Sequence, residues 1–550
     1  MPNEVSSADV RGFEWRMGGS RQRRPRVLPR LPTQSERLFV VLVTAVLMLW
    51  PAAANKQAFF FYDSYGYLHD GSLGISKITG GKFQDAWLNP SSNVQKSENT
   101  APNTETYPRK PITANAPQAG RSVYYGVLAD LAASIAGVSA VIIIQCIVIS
   151  ILFDIVYHMF ELGFKARLVV SIAISFLSSA SIYTDFILPD IWVGMAFMAL
   201  VAQFGFPEKN SLRTTIILNG CICYGALVHT TVVLALAVFL AMSTAVALRI
   251  AVSRTGSIER SKMMAMAWAP SLRRVIVACV VAGSICAGGR IAIDIAARHF
   301  VGVSPVMPPF LTARLIADGT GARYLRERCT PARFDVCQYS GRHFSTSDEF
   351  LWGRVSPFGA AGPAERRRLS AEDAPFALAV ATNFPIQQVL ASGGNFIGQL
   401  LDIDLKLMNY DAHEREWFGQ QMPASAFAPL RRTLAARQKW PVLTIGTVHG
   451  LSISVVLFAI VLLWRSMPMG HRRFILGASA ICVVDAFVCG VASEVSGRYE
   501  GRVAWLICFA GFCAIASAVQ RSSQPRLPPV PPLELTPTAR EVPEELLVPA

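Results

Sequence analysis

The residues best suited to chemistry are a few polar groups set into a largely apolar chain. Asp63 stands among aromatics in Phe59-Phe60-Phe61-Tyr62-Asp63-Ser64-Tyr65-Gly66-Tyr67-Leu68. A carboxyl in a partly dry setting has its pKa raised toward values that suit a general base. The same stretch also reads as an aromatic belt at a membrane interface, with Asp63 as a helix cap. Asp190 follows Pro189; proline fits the first turn of a helix, and an acid beside it suits the positive end of the dipole. Asp185, five residues earlier, is either a second carboxylate of the same site or a solvated loop residue. His229, next to Thr230, is an acid–base candidate or a hydrogen-bonded helix end. In Glu494-Val-Ser-Gly-Arg498-Tyr499-Glu500-Gly-Arg502, wherever the stretch is helical, Glu494, Arg498 and Arg502 share one face. Such guanidinium groups either hold a phosphate by fork geometry or take part in ordinary ion pairs, with Tyr499 beside them. Arg290 and Asp294, one turn apart, are spaced so that they can pair with each other. Asp154 and Asp485 lie inside apolar runs, where ionisable groups are costly and are functional candidates by default; the alternative is a neutral or interhelical hydrogen-bonded role.

These residues must be positioned by membrane helices. Of 550 residues, 52% are hydrophobic and 16% are charged, against about 25% charged in an average soluble domain. The excess apolar surface requires lipid. The net charge of +14 does not indicate nucleic acid, because the basic residues form short clusters between apolar runs, as in cytoplasmic loops. Apolar runs at 38–54, 138–159, 168–183, 190–206, 214–229, 231–250, 275–296, 441–464, 474–492 and 502–520 predict an all-α polytopic protein with about ten transmembrane helices. The positive-inside rule puts both termini in the cytoplasm, and the expected location is the cytoplasmic (inner) membrane. Residues 122–136 then lie at the outer interface rather than crossing. The first run ends in Pro51-Ala52-Ala53-Ala54 and reads as an uncleaved anchor rather than a signal peptide, because the polar stretch before it is too long for an n-region.

The organisation that follows is a basic segment over 1–36, a transmembrane module over 37–296 with a first outer loop at 55–121, an outer (periplasmic) loop domain over 297–440, C-terminal transmembrane helices over 441–520 and a disordered proline-rich tail over 521–550. Apolar residues at helical spacing in 386–405 (Ile386, Val389, Leu390, Ile397, Leu400, Leu401) make the second loop a small helical domain on the outer face. Nine of the 11 cysteines lie in apolar runs and read as buried small side chains. Cys221 and Cys223 have no further ligand nearby, so no metal site is assigned. Cys329 and Cys337 lie in the second outer loop, an oxidising space where they can bridge; free thiols are the alternative.

An aspartate just after the first span, polar residues at the second outer turn and a large late outer loop resemble the integral-membrane glycosyltransferases of the GT-C superfamily, which include protein mannosyltransferases and bacterial lipid-modifying relatives. The resemblance covers the layout of 37–520. It implies that Asp63 is the catalytic or acceptor-positioning acid, that Asp185 or Asp190 is the acid of the next outer loop, and that the donor is a polyprenyl-phosphate sugar. On chemistry and location, Arg498, Arg502, Tyr499 and Arg290 are then candidates for the donor phosphate. The adjacent acid pair usual in the first loop is absent, since Ser64 follows Asp63. The cofactor stays open between none and a divalent cation. Two other readings stand beside this one: a transporter or lipid flippase, from Asp154, Asp485 and Arg290, and a non-catalytic envelope assembly protein.

Overall fold

The structure, a computed structural model, describes residues 31–88, 119–253, 259–331, 333–352 and 355–523, with no side chains described for 250–267. The basic segment 1–30, the polar stretch 89–118 and the tail 524–550 lie outside the described residues. The described chain is helical, and its one isolated β-bridge joins Phe59 to Phe186.

Helix α1 (Gln34–Met48) starts with a capping box, in which Glu36 N–H donates to Thr33 Oγ1 (3.2 Å) and Thr33 N–H to the Glu36 carboxylate (2.7 Å). It continues into α2 (Trp50–Asn55). Two shorter helices follow, α3 (Tyr62–Ile78) and α4 (Val123–Ala136). Gly137, at φ 72°, turns the chain into α5 (Val138–Met159). Next come α6 (Phe164–Leu177), α7 (Ala180–Thr184), α8 (Asp190–Gly205), α9 (Leu212–Val228), α10 (Thr230–Ser253) and α11 (Glu259–Val301). The long loop holds α12 (Phe310–Ala317), α13 (Thr320–Glu327), α14 (Ser347–Leu351), α15 (Pro363–Asn383), α16 (Pro385–Leu401), α17 (Ala412–Gln421) and α18 (Ala424–Leu430). The chain ends in α19 (Val442–Leu463), α20 (Met469–Ala492) and α21 (Gly497–Ser522).

Among the described residues, seven helical segments are long and apolar enough to cross a membrane: Gln34–Asn55, Val138–Met159, Thr230–Arg249, Trp268–Val301, Val442–Ser466, Met469–Ala492 and Gly497–Ser522. The chain is therefore a multi-pass membrane protein by length and composition. α8 and α9 are apolar but shorter. α8 is buried at every position except Phe204. A helix enclosed on all sides is hydrophobic all round and has no apolar stripe, which is why its sequence shows no period.

The long loop is not one domain. A separate apolar core gathers residues of α12 to α15 around Tyr324, Phe334, Phe350 and Phe376, and the Cys329–Cys337 disulfide (Cα–Cα 5.5 Å) borders it. Residues from Leu405 to Trp440 instead join the main core of the bundle. α16 departs from the sequence expectation. Its apolar residues at helical spacing do not build a domain core; Ile386, Val389, Leu390, Ile397 and Leu401 face outward, and the helix buries Gln388 and Gln399.

One end of the bundle is closed by charge. Asp154 accepts from Arg37 Nε (3.0 Å) and Nη2 (2.6 Å) and also pairs with the fully buried Arg167, while Lys209 Nζ reaches Glu161 at 2.6 Å. Beyond the other end, α3 and α4 lie side by side and run in the same direction. Asp63 stands beside Arg121, Tyr67 meets Tyr125 with centroids 5.2 Å apart, and Asp85 contacts Asp130. Their crossing leaves no room for a side chain, because a Cβ on Gly71 would lie 2.2 Å from the Gly126 carbonyl oxygen. Gly71→Ala is expected to lower stability by about 3 kcal/mol, at the upper end of overpacking costs, read as a drop in melting temperature in detergent.

The Asp85–Asp130 contact supplies a second test. Burial, the hydrogen bond to Asp85 and repulsion from it push the Asp130 carboxyl up to about 8. Burial alone would raise Asp85 too, but bonds from Asp130, Ser72 and the backbone outweigh it and hold it low, so the shared proton sits on Asp130. A folded-state pKa raised above the unfolded value gives stability that is complete below the unfolded value and is lost as pH rises through the folded one. Wild-type protein is therefore expected to lose melting temperature up to and through pH 8. Asp130→Asn, which keeps a donor for Asp85, should lose less over the same range.

Candidate active site

The path to Asp63 is fixed before the helix that carries it begins. After α2 the chain runs extended through Phe59–Phe61. Phe59 N–H donates to Asp185 O (2.9 Å), Ile187 N–H donates to Phe59 O (3.0 Å), and Phe60 N–H donates to the Tyr410 hydroxyl (2.8 Å). Phe59 packs on Phe186 and Trp440, and Tyr62 and Tyr65 each meet Trp417 edge-on with centroids 5.8 Å apart. Phe61 N–H donates to Ser64 Oγ (2.8 Å), which starts α3. Asp63 then lies in the first turn, where the helix dipole favours a carboxylate. The aromatics around Asp63, buried at Phe59 and Phe60 and partly buried at Phe61, Tyr62 and Tyr65, thus join the start of α3 to the long loop.

From Asp63 a chain of alternating charges runs into the bundle. Arg121 donates to Asp63 Oδ1 through Nε (3.1 Å) and Nη2 (2.8 Å), and Arg498 Nη1 lies 3.6 Å from Asp63 Oδ2. Arg498 Nε donates to Asp190 Oδ1 (3.1 Å), which also accepts from Arg502 Nη1 (3.3 Å). Arg502 Nη2 donates to both oxygens of Asp485 (3.3 and 3.4 Å). Arg498 and Arg502 are one turn apart on α21, so the helix repeat sets their spacing. His229 Nε2 lies 3.1 Å from Arg502 Nη1, and Thr231 N–H lies 3.3 Å from Nδ1. Both partners are donors, and a neutral imidazole accepts at one nitrogen only.

Access separates these groups. Side-chain exposure is 31% for both Asp63 and Arg121, 10% for Arg498 and zero for Asp190, Arg502 and Asp485. Arg498 lies over the Phe61 ring at 4.6 Å, and Arg502 lies over Tyr499 at 4.9 Å. Beside Arg498, Tyr183, Leu188, Asp404 and Met408 line a small recess. Burial would raise the Asp63 carboxyl, but Arg121 and then Arg498 outweigh it and hold the group below the usual carboxylate range. Two nearby carboxyls move the other way. Burial and then the charge of Asp63 raise Asp348 on α14; burial and then the charge of Asp348 push Glu494 up to about 7.

Asp63, Asp190, His229, Arg498, Arg502 and Tyr499 therefore gather as one cluster, and Asp485 joins them. Four of the readings from sequence need correction. Asp185 is neither solvated nor in the cluster: it is buried, its carboxylate accepts Ala52 N–H (2.7 Å), and burial pushes it well above the usual carboxylate range. Arg290 is exposed on α11 and, among the described residues, makes no hydrogen bond or ion pair with the cluster, and Asp294 pairs with Arg298, the next turn along, rather than with Arg290. Glu494 precedes the helix that starts at Gly497, so only Arg498 and Arg502 share its face. Arg502 is enclosed by its own partners and cannot meet a ligand phosphate directly. Sequence reasoning also missed Arg121 and the buried Glu500; a lone arginine ending a polar loop carries no local signal. Among the described residues no group of three or more His, Cys, Asp or Glu gathers to hold a metal ion. No known family, curated protein or solved structure matches the chain.

Arg502 is the neutralising centre of the buried part. Removing one partner of a buried pair costs about 3–5 kcal/mol, because the other charge is left uncompensated. Arg502→Met is expected to destabilise by that amount in thermal or denaturant unfolding. The double variant Arg502→Met/Asp485→Asn should recover part of the loss.

Proposed function

We propose that this chain is a GT-C-type membrane glycosyltransferase that moves a sugar from a polyprenyl-phosphate donor to an acceptor hydroxyl at the outer face of the cytoplasmic membrane. The observation that carries this reading is Asp63: a partly exposed carboxylate just past the first candidate span, against the equally exposed guanidinium of Arg121 and the largely buried one of Arg498. In the topology proposed with it, α1–α2, α5, α6–α7, α8, α9, α10, α11, α19, α20 and α21 make ten crossings, both termini are cytoplasmic, and the long loop is periplasmic.

The chemistry divides among the residues by access. Arg498 and Arg121 suit the donor phosphate, whose negative charge grows as the bond from the sugar's anomeric carbon to the phosphate oxygen breaks. The acceptor oxygen forms the new bond to that carbon, polyprenyl phosphate leaves with the electron pair, and the acceptor's proton passes to Asp63. Held at low pKa, Asp63 is a weak base and orients the hydroxyl until late in the reaction, when the hydroxyl has become acidic. A phosphate competing for the same guanidiniums loosens their hold on Asp63, so donor binding strengthens the base. Asp190, Asp485, Arg502 and His229 act by holding Arg498 in place.

The test is transfer or hydrolysis of labelled polyprenyl-phosphate sugars by purified protein. Asp63→Asn, with unchanged elution from a sizing column, is expected to lower the rate by about 10²–10⁴-fold, the span of a general acid–base contribution. Transfer unchanged in the variant would remove Asp63 from the mechanism. No turnover of any donor by either protein would favour the transporter or envelope-assembly reading.

A further inference from the structure

α16 carries its polarity in reverse. Over Pro385–Leu401 the sequence has no charged residue. At about 100° per residue, Gln388, Ser392, Asn395 and Gln399 fall on one side, and Ile386, Val389, Leu390, Ile397 and Leu401 on the other. A helix on a water-soluble domain turns the second side inward. Here the first side is inward. The five aliphatic residues are 52–74% exposed, while Gln388 is 9% and Gln399 0% exposed.

The inward polar side is matched bond for bond. Gln388 pairs with Thr320, and its Nε2 donates to Ser392 Oγ (3.0 Å). Asn395 Nδ2 donates to Asp318 Oδ1 (2.8 Å). Gln399 Nε2 donates to Ser496 O (2.9 Å) and Gln399 Oε1 accepts Ser496 N–H (2.8 Å). These bonds fix the rotation of the helix, so its aliphatic side cannot roll inward without stranding buried amides. α16 also lies against a candidate span: a Cβ on Gly490 of α20 would come within 2.8 Å of Asn395 O, and Phe396 meets Phe487 at 6.1 Å. Phe487 and Val483 are themselves half exposed. The uncovered aliphatic face of α16 is thus continuous with the apolar surface that α20 turns outward.

We propose that α16 is embedded in the bilayer leaflet on the side of the long loop, with its Ile386–Val389–Leu390–Ile397–Leu401 face against acyl chains. The loop is then anchored in lipid as well as resting over the bundle. The Gln399–Ser496 pair ties this embedded helix to the segment that starts α21, two residues before Arg498. The inference stands on burial and hydrogen bonding and does not depend on the transferase reading.

The experiment attaches a bimane fluorophore at Leu390→Cys and, separately, at Ile397→Cys and Val389→Cys, with unmutated protein as the labelling blank, since the nine free cysteines are buried. Arg326→Cys on α13, exposed in the loop domain, is the control. Each labelled protein is reconstituted in phosphatidylcholine vesicles with or without doxyl-labelled lipid. The α16 positions are expected to show blue-shifted emission, quenched severalfold more by doxyl lipid than by iodide, and Arg326→Cys the reverse. Quenching of all three α16 positions by iodide and not by doxyl lipid would overturn the proposal. So would quenching by neither together with cross-linking between copies at Leu390→Cys, which would assign the face to a second molecule. Three positions on one face keep the result readable if a single variant misfolds.

Discussion

Arg502 is fully buried between Asp190 and Asp485, and the arrangement of helices depends on keeping that charge neutralised. An isolated ion in an apolar interior loses several kcal/mol of solvation. The bundle meets that cost by bringing acids from two other helices, α8 and α20, to one guanidinium on α21. Asp190 is placed by the start of α8, just after Pro189, and Asp485 lies within α20. Neither helix can slide along α21 by one residue without separating a carboxylate from its partner. Ion pairing therefore sets the register here, a role that sequence-independent lipid contact cannot play.

The same chain of charges connects a dry interior to an accessible surface. Asp190 accepts from both Arg498 and Arg502, so the rigid part ends where the partly open part begins. Arg498 is shared between Asp190 and Asp63, and Arg121 closes on Asp63 from α4's end. Three acids face three arginines, so the cluster is balanced without a ligand. An anion that binds at the open end must then share a guanidinium with Asp63 rather than fill an empty charge. That arrangement favours exchange over tight binding.

Much of this was legible in the sequence. The apolar runs locate the long helices, and residue chemistry alone singles out Asp63, Asp190, His229, Arg498 and Arg502. The i,i+4 spacing of the two arginines carried the most information, because it survives folding unchanged. Partners were not legible. Asp485 and Asp154 could be recognised as costly, but their arginines lie 17 residues away in one case and 13 and 117 in the other, a choice only packing makes. Asp185 misled because its spacing from Asp190 suggested a pair. In the fold, the turn after α7 aims it back at the amide of Ala52.

α16 shows why periodicity alone misleads in a membrane protein. Aliphatics at helical spacing identify one side of a helix but not what that side meets. In water the answer is the protein core, which is what the spacing in 386–405 predicts. Beside a candidate span, two apolar environments compete, and the decision falls to the other side of the helix. A glutamine or asparagine turned to hydrocarbon leaves donors and acceptors unmet, at a cost of several kcal/mol each, whereas a leucine fits lipid and core about equally. The amides therefore orient the helix and the leucines follow. Gln388, Asn395 and Gln399 were the residues to weigh in 386–405, because their bonds to Asp318, Thr320 and Ser496 leave the aliphatic face one direction to point.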